Sequence, residues 1–281
     1  MKLVRYGPAG KEKPGLIDAD GKLRDLSRKV KDIDGAALAP AKLRELAKLD
    51  PKKLPLVKGK PRLGSCVATP SKFVAIGLNF SDHARETGSP IPEHPVVFFK
   101  APSCIVGPND NVMVPKDSTQ LDWEVELVVV IGRRAEKVSA AQAWSHVAGL
   151  TAGQDISERI TQLAGPAPQF SLGKSFPGFA PTGPWVVTVD EFDDPDDIGL
   201  QCGVGDETLQ NGRTSDYLFG VPALIQGLSR VTPLLPGDII FCGTPDGVGI
   251  GRDPQRFLQP GEELVSKVSG VGELRQTFVS V

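Results

Sequence analysis

Glu124 and Glu126 lie two residues apart in LDWEVELVVVIG, Leu121 to Gly132, a run of Val, Leu and Ile with the pattern of a buried β-strand. In an extended chain such residues project to the same face, so the spacing sets two carboxylates side by side. Glu is depleted in strands, and two ionised carboxylates in a protein interior repel each other and are costly to desolvate unless something positive lies between them. A divalent cation supplies that charge, and hard carboxylate oxygens favour Mg²⁺, Mn²⁺ or Ca²⁺ over a soft metal. The competing explanation is a solvated edge strand on which the glutamates guard against aggregation. Against it stands VVVIG, apolar on both faces as a central strand is.

Other chemistry-bearing residues are spread along the chain. GLNFSDHARETG, Gly77 to Gly88, holds His83, one of only three histidines, with Glu86 three residues later. On one helical turn the two can touch, and a carboxylate beside an imidazole orients it for removing a proton from water; an incidental surface contact is the plainer alternative. In TAGQDISERITQ, Asp155, Arg159 and Gln162 share a face if a helical turn starts there, with Asp155 as a cap and Arg159 as its ion-pair partner the simplest explanation. Lys174 in SLGKSF either counters a substrate carboxylate or reaches out to solvent. GTPDGVGIG, Gly243 to Gly251, lacks the G-K-[ST] ending of a phosphate loop. It is either a tight turn or a set of backbone N–H groups near an anion.

The elements that must position these residues are mostly strands. With 31 Gly and 25 Pro among 281 residues the chain makes many turns and short elements, which favours β-rich architecture over a helical bundle. Residues 1–64 form a small N-terminal unit: a strand near Leu3 to Tyr6, a hairpin through Ala19-Asp20-Gly21, a helical stretch from Pro40, and a Pro- and Lys-dense junction from Pro51 to Gly64. Residues 65–281 form the larger unit, in which FVAIGL, VVFFK, PWVVTV and DIIFCG read as strands. The capping box of Ser139 and Gln142 predicts a helix over AQAWSHV, and YLFGVPALIQGL predicts another across Tyr217 to Leu228, interrupted by Pro222. The expected fold class is mainly β with some helices (α+β).

A net charge of −2 offers no polybasic field for nucleic acid or anionic lipid, and no run of about 18 apolar residues could span a membrane. The expectation is a cytoplasmic protein with neither partner. Cys66, Cys104, Cys202 and Cys242 form no CxxC pair, so neither a thiolate zinc site nor a disulfide framework is expected.

Taken in order, GLNFSDHARETG, FFKAPSCIVGPND, DWEVELVVVIG, GQDISERITQ, LGKSF, GPW and GTPDGVG resemble the fumarylacetoacetate hydrolase family, over most of Phe73 to Val281. The resemblance implies a mixed β-roll or β-barrel core behind a small N-terminal domain, a homodimer, and one divalent metal, Mg²⁺ or Mn²⁺, on Glu124, Glu126 and Asp155. It makes His83 and Glu86 a water-activating dyad on a lid, puts Lys174 and Gln162 beside the substrate with Arg159 near it, and gives Thr244 a contact with the substrate carboxylate. In one respect the chain departs from the family: many members carry an acidic residue after GKS, where Phe176-Pro177-Gly178 stands here. The implied reaction is hydrolytic C–C cleavage of a 2,4-dioxo acid of the acylpyruvate or fumarylpyruvate type, through a metal-stabilised pyruvate enolate. Tautomerisation of hydroxydienoates, decarboxylation of oxaloacetate-like acids and a ureidoglycolate lyase reaction remain open. A binding protein without catalysis is the contrasting class, and it would have no need of a base.

Overall fold

The computed structural model describes Met1 to Ser280; Val281, the last residue assigned above to the larger unit, lies outside the described residues. A ten-stranded mixed sheet forms the centre. Its order is Leu23–Asp25, Lys13–Ile17, Lys2–Tyr6, Ala180–Thr188, Val147–Gln154, Val125–Ile131, Ile239–Phe241, Phe73–Gly77 and Val96–Phe99, with Ile105–Val106 paired in parallel to the Ala180 strand. A second sheet of five strands runs Glu207–Arg213, Gly199–Val204, Glu263–Val268, Gly272–Ser280 and Val112–Val114. The architecture is mainly β with several short helices, as expected. It is not a barrel: the large sheet keeps two open edges, at Leu23–Asp25 and at Val96–Phe99.

The residues of 1–64 reach the larger unit through this sheet. Lys2 and Leu3 pair with Val187 and Val186, and the Arg62 guanidinium bridges Glu12 to Asp110. The expected hairpin at Ala19-Asp20-Gly21 connects Lys13–Ile17 to Leu23–Asp25, and a helix runs Pro40–Leu46 with its proline in the first turn.

Two helix expectations need correction. Ala140–His146 is a 3₁₀ helix, because the Gln142 N–H donates to the Ser139 carbonyl three residues back and the serine side chain caps nothing. Pro222 does not interrupt a helix; it begins one, Val221–Val231, where its missing N–H is no loss.

The Val125–Ile131 strand is central, and all seven of its residues are buried. The longer strand expected from Leu121 is broken, however. Leu121–Asp122 pairs separately with Ser157–Glu158, and at the break the Glu124 and Val125 N–H groups donate to the side-chain oxygens of Gln154 (2.9 Å) and Gln210 (3.0 Å). Two buried amides thus replace ladder bonds, and the backbone turns Glu124 toward the site without leaving a polar group unpaired. Next to Val125–Ile131, Gly153 allows close packing: a Cβ there would stand 2.4 Å from the Phe241 ring and 2.6 Å from Val128 Cγ2. The Gly153→Ala substitution is expected to lower stability by about 1–3 kcal/mol in a chemical denaturation midpoint.

Candidate active site and metal centre

Glu124, Glu126 and Asp155 each present a carboxylate oxygen within 4.8 Å of the others, and all three are buried. Glu126 sits on the central strand, Glu124 just before it, and Asp155 at the end of the neighbouring Val147–Gln154 strand, where its N–H donates to the Glu124 carbonyl (2.9 Å). Adjacent strands of one sheet therefore carry the cluster.

The cations around it are equally buried. Lys174 Nζ donates to Glu124 Oε2 (2.7 Å), Asp155 Oδ2 (2.8 Å) and Ser157 Oγ (2.7 Å), using all three of its protons. It does not reach out to solvent. Lys174 comes this close because Gly173 before it packs on the Gln162 backbone, where a Cβ would meet Gln162 N at 2.5 Å. Arg159 Nε donates to Asp122 Oδ2 (2.9 Å) and Nη1 to Gln162 Oε1 (2.8 Å). Its Nη2 lies 2.8 Å from Glu124 Oε1 and makes an ion-pair contact there without hydrogen-bond alignment. Asp155 therefore neither caps the Arg159–Gln162 turn nor pairs with Arg159. Glu158 is the cap, accepting from the Ile160 and Thr161 N–H groups. Lys100, which sequence reasoning passed over, bonds Asp155 Oδ1 and donates to the Phe179 carbonyl at 2.9 Å. The Phe176 that replaces an acidic residue after GKS packs on the Phe179 ring, centroids 5.1 Å apart.

Four buried carboxylates, Asp122, Glu124, Glu126 and Asp155, face three buried cations, Lys100, Arg159 and Lys174, so one negative charge is left over. Glu126 bears it. Among the described residues its carboxylate has no cationic partner, only the Gly243 N–H at 2.6 Å. Burial, then Asp155 and Glu124, push its carboxyl well above the usual range. Burial works the same way on Glu124, but Lys174 and Arg159 outweigh it and hold that carboxyl down to about 2. A hard divalent cation fits this donor set. Three carboxylate oxygens converge, the space between Glu124 and Asp155 already accepts an ammonium, and the charge deficit sits on the third donor. Because binding must displace the proton favoured on Glu126, Mg²⁺ affinity is expected to rise with pH from the ordinary carboxyl range upward. Calorimetric titrations at several pH values measure this, and a flat profile would count against Glu126 as a donor.

His83 stands on the Ser81–Glu86 turn with Nδ1 2.7 Å from Glu86 Oε1, and Glu86 Oε2 accepts from the Gly247 N–H at 2.8 Å. The glycine-rich stretch thus serves the protein's own carboxylates: Gly243 N–H goes to Glu126, Gly247 N–H to Glu86, and the Gly249 and Ile250 N–H groups to Asp122. The Thr244 hydroxyl donates to the Val125 carbonyl (2.9 Å) and accepts from Gln210 Nε2 (2.8 Å), so its proton is already engaged. A cavity of about 310 Å³ is lined by His83, Glu86, Glu124, Arg159, Gln162, Lys174 and Thr244. Glu126 and Asp155 are not in its wall. Asp122, Lys100, Gln154 and Gln210 organise the site without having been singled out from the sequence.

All four cysteines are free and buried, and burial pushes the Cys66 and Cys104 thiols up to about 11. Among the described residues no helix is long and apolar enough to cross a membrane.

The chain belongs to the fumarylacetoacetate hydrolase family: residues 72–279 match the family defined by the C-terminal domain of fumarylacetoacetate (FAA) hydrolase. A Burkholderia ambifaria protein, provisionally named a hydrolase, is 48% identical over 278 residues, covering 99% of this chain and 98% of that one. The fumarylacetoacetate hydrolase of Exiguobacterium antarcticum is 32% identical with a TM-score of 0.88 over 100% of both chains. A Mycobacterium abscessus protein provisionally named a 2-hydroxyhepta-2,4-diene-1,7-dioate isomerase is 31% identical with a TM-score of 0.85, over 100% of this chain and 99% of that one.

Proposed function

We propose that the protein is a divalent-metal-dependent hydrolase that cleaves the C3–C4 bond of a 2,4-dioxo acid to give pyruvate and a carboxylic acid. The observation that supports this best is the shared cavity: the His83–Glu86 pair and the Glu124–Lys174–Arg159 cluster face the same 310 Å³ space. Glu124, Glu126 and Asp155 would hold Mg²⁺ or Mn²⁺, which supplies positive charge for the carboxylate and 2-keto oxygens of the substrate.

The protein's residues then divide the work. Glu86, pinned by the Gly247 N–H, holds His83 by Nδ1 and leaves Nε2 for a cavity water. His83 takes a proton from that water as its oxygen bonds to C4, the C3–C4 bond breaks, and C3 receives the proton back from the imidazolium. Lys174 and Arg159 balance charge on the 2-oxo acid end, and Gln162, fixed by Arg159, borders the same space. A second reading, proton movement between carbons of a hydroxydienoate without water, is favoured by the name of the M. abscessus relative. Turnover of acetylpyruvate, fumarylpyruvate, oxaloacetate and a hydroxydienoate by metal-free protein, with and without Mg²⁺ or Mn²⁺, separates the two. Metal-dependent pyruvate release from a dioxo acid is expected; isomerisation of the dienoate with intact dioxo acids would transfer the assignment to the isomerase.

A further inference from the structure

We propose that the cavity selects 2,4-dioxo acids whose acyl group is uncharged, an alkanoyl or aroyl group, and rejects those carrying a second carboxylate. This rests on the reading that the inner end of the cavity takes a 2-oxo acid.

Among the described residues two lysine or arginine side chains line the cavity, Lys174 and Arg159, and both belong to that inner end. Lys174 has its three protons on Glu124, Asp155 and Ser157, and Arg159 is held by Asp122, Glu124 and Gln162. The guanidinium groups nearest the wall along the chain are also paired: Arg85, between His83 and Glu86, points out to solvent against Asp82, and Arg252 and Arg256 pair with Glu207 and Glu262 and lie over the Trp123 ring. The rest of the wall is largely apolar, with Leu78, Phe98, Leu163, Phe170 and Ile250 among its residues. Phe98 and Phe170 meet edge to face with centroids 5.7 Å apart, and the Phe98 ring lies 5.4 Å from Lys174 Nζ. The hydrophobic surface therefore begins beside the ammonium that faces the chemistry.

The neutral polar groups bring no positive charge to an anion: Ser89 and Gln162 add neutral donors to the wall, and the others are already engaged. Thr87 Oγ1 is placed to donate to the His83 and Ala84 carbonyls at 3.0 and 3.1 Å, and Gln255 Nε2 donates to the Ile250 carbonyl at 3.1 Å. The remaining lining charge, Glu86, is negative. A distal carboxylate would lose its water against aromatic rings, find no free cation and share the space with a like charge. An uncharged acyl group of similar size gains from the same surface.

Butanoylpyruvate and succinylpyruvate differ by a methyl group against a carboxylate at the far end. Calorimetry on Mg²⁺-loaded His83→Ala protein compares their binding without turnover, alongside pyruvate release by the wild type. Butanoylpyruvate is expected to bind at least about 100-fold more tightly, and adding Leu163→Arg at the half-exposed rim to narrow that ratio about tenfold. Equal binding, or tighter binding of succinylpyruvate, overturns the proposal. If the preference is present but the wild type cleaves neither compound, charge selection stands and the hydrolase reading falls. If neither compound binds, both fall.

Discussion

The His83→Ala protein is expected to lose about 10²–10⁴-fold in turnover of a 2,4-dioxo acid, the range that a positioned general base contributes, while its Mg²⁺ affinity stays within a few-fold of wild type. The separation follows from geometry. His83 bonds Glu86 and lines the cavity but supplies no donor atom to the cluster of Glu124, Glu126 and Asp155, whose oxygens come from other elements. Alanine also suits the Ser81–Glu86 turn, so the backbone there has no reason to move. Glu86→Gln gives a graded comparison. Its side chain can still place an oxygen against Nδ1, but it then turns an N–H₂ group toward the Gly247 N–H that Glu86 now satisfies. A smaller loss of kcat than in His83→Ala is expected, accompanied by a changed pH profile. Pyruvate release and calorimetric Mg²⁺ titration of each variant check both parts. Undiminished turnover by His83→Ala would remove the histidine from the reaction.

What the sequence could convey depended on how local each cause was. The Val125–Ile131 strand was legible because VELVVVI is apolar on both faces, and Glu126 stood out against it. The break before it was not legible, since it is made by Gln154 and Gln210, which lie 30 and 85 residues away from the N–H groups they accept from. Lys100 has the same difficulty. At the end of VVFFK it looks like an ordinary edge-strand lysine, and only Asp155, 55 residues further on, turns it into part of the site. Asp155 and Glu158 are both reasonable caps for the turn at Arg159, and local propensity cannot choose between them; burial of Asp155 beside Lys100 and Lys174 leaves the role to Glu158. The ordered set of motifs identified the family because it sums many such distant constraints, each too weak to read alone.

The two neighbouring glutamates are expected to change stability in opposite directions when substituted, although both substitutions weaken Mg²⁺ binding by at least about 100-fold. Glu124 is the counter-ion of Lys174 and Arg159, so Glu124→Ala leaves two buried cations short of a partner and is expected to cost about 3–5 kcal/mol in the metal-free protein. Among the described residues Glu126 has no such partner. Glu126→Gln keeps an oxygen for the Gly243 N–H and removes the carboxylate that crowds Asp155 and Glu124, so the metal-free protein is expected to gain on the order of 1 kcal/mol. The sign also fixes the pH window. A carboxyl whose folded pKa is raised adds no penalty at a pH below its ordinary value, and weakens the folded state increasingly as pH climbs from there toward the raised value. The stabilisation by Glu126→Gln should therefore be small near pH 4 and larger near pH 8. Thermal melts of both variants with and without Mg²⁺ read all of this, since only the wild type should show a large metal-dependent rise in Tm. A stabilised, metal-blind Glu126→Gln protein would mean that the second glutamate is held in the central strand against folding stability, which only its use as a metal donor explains. A variant destabilised as much as Glu124→Ala would mean that Glu126 is an ordinary buried partner and that the cluster needs no cation.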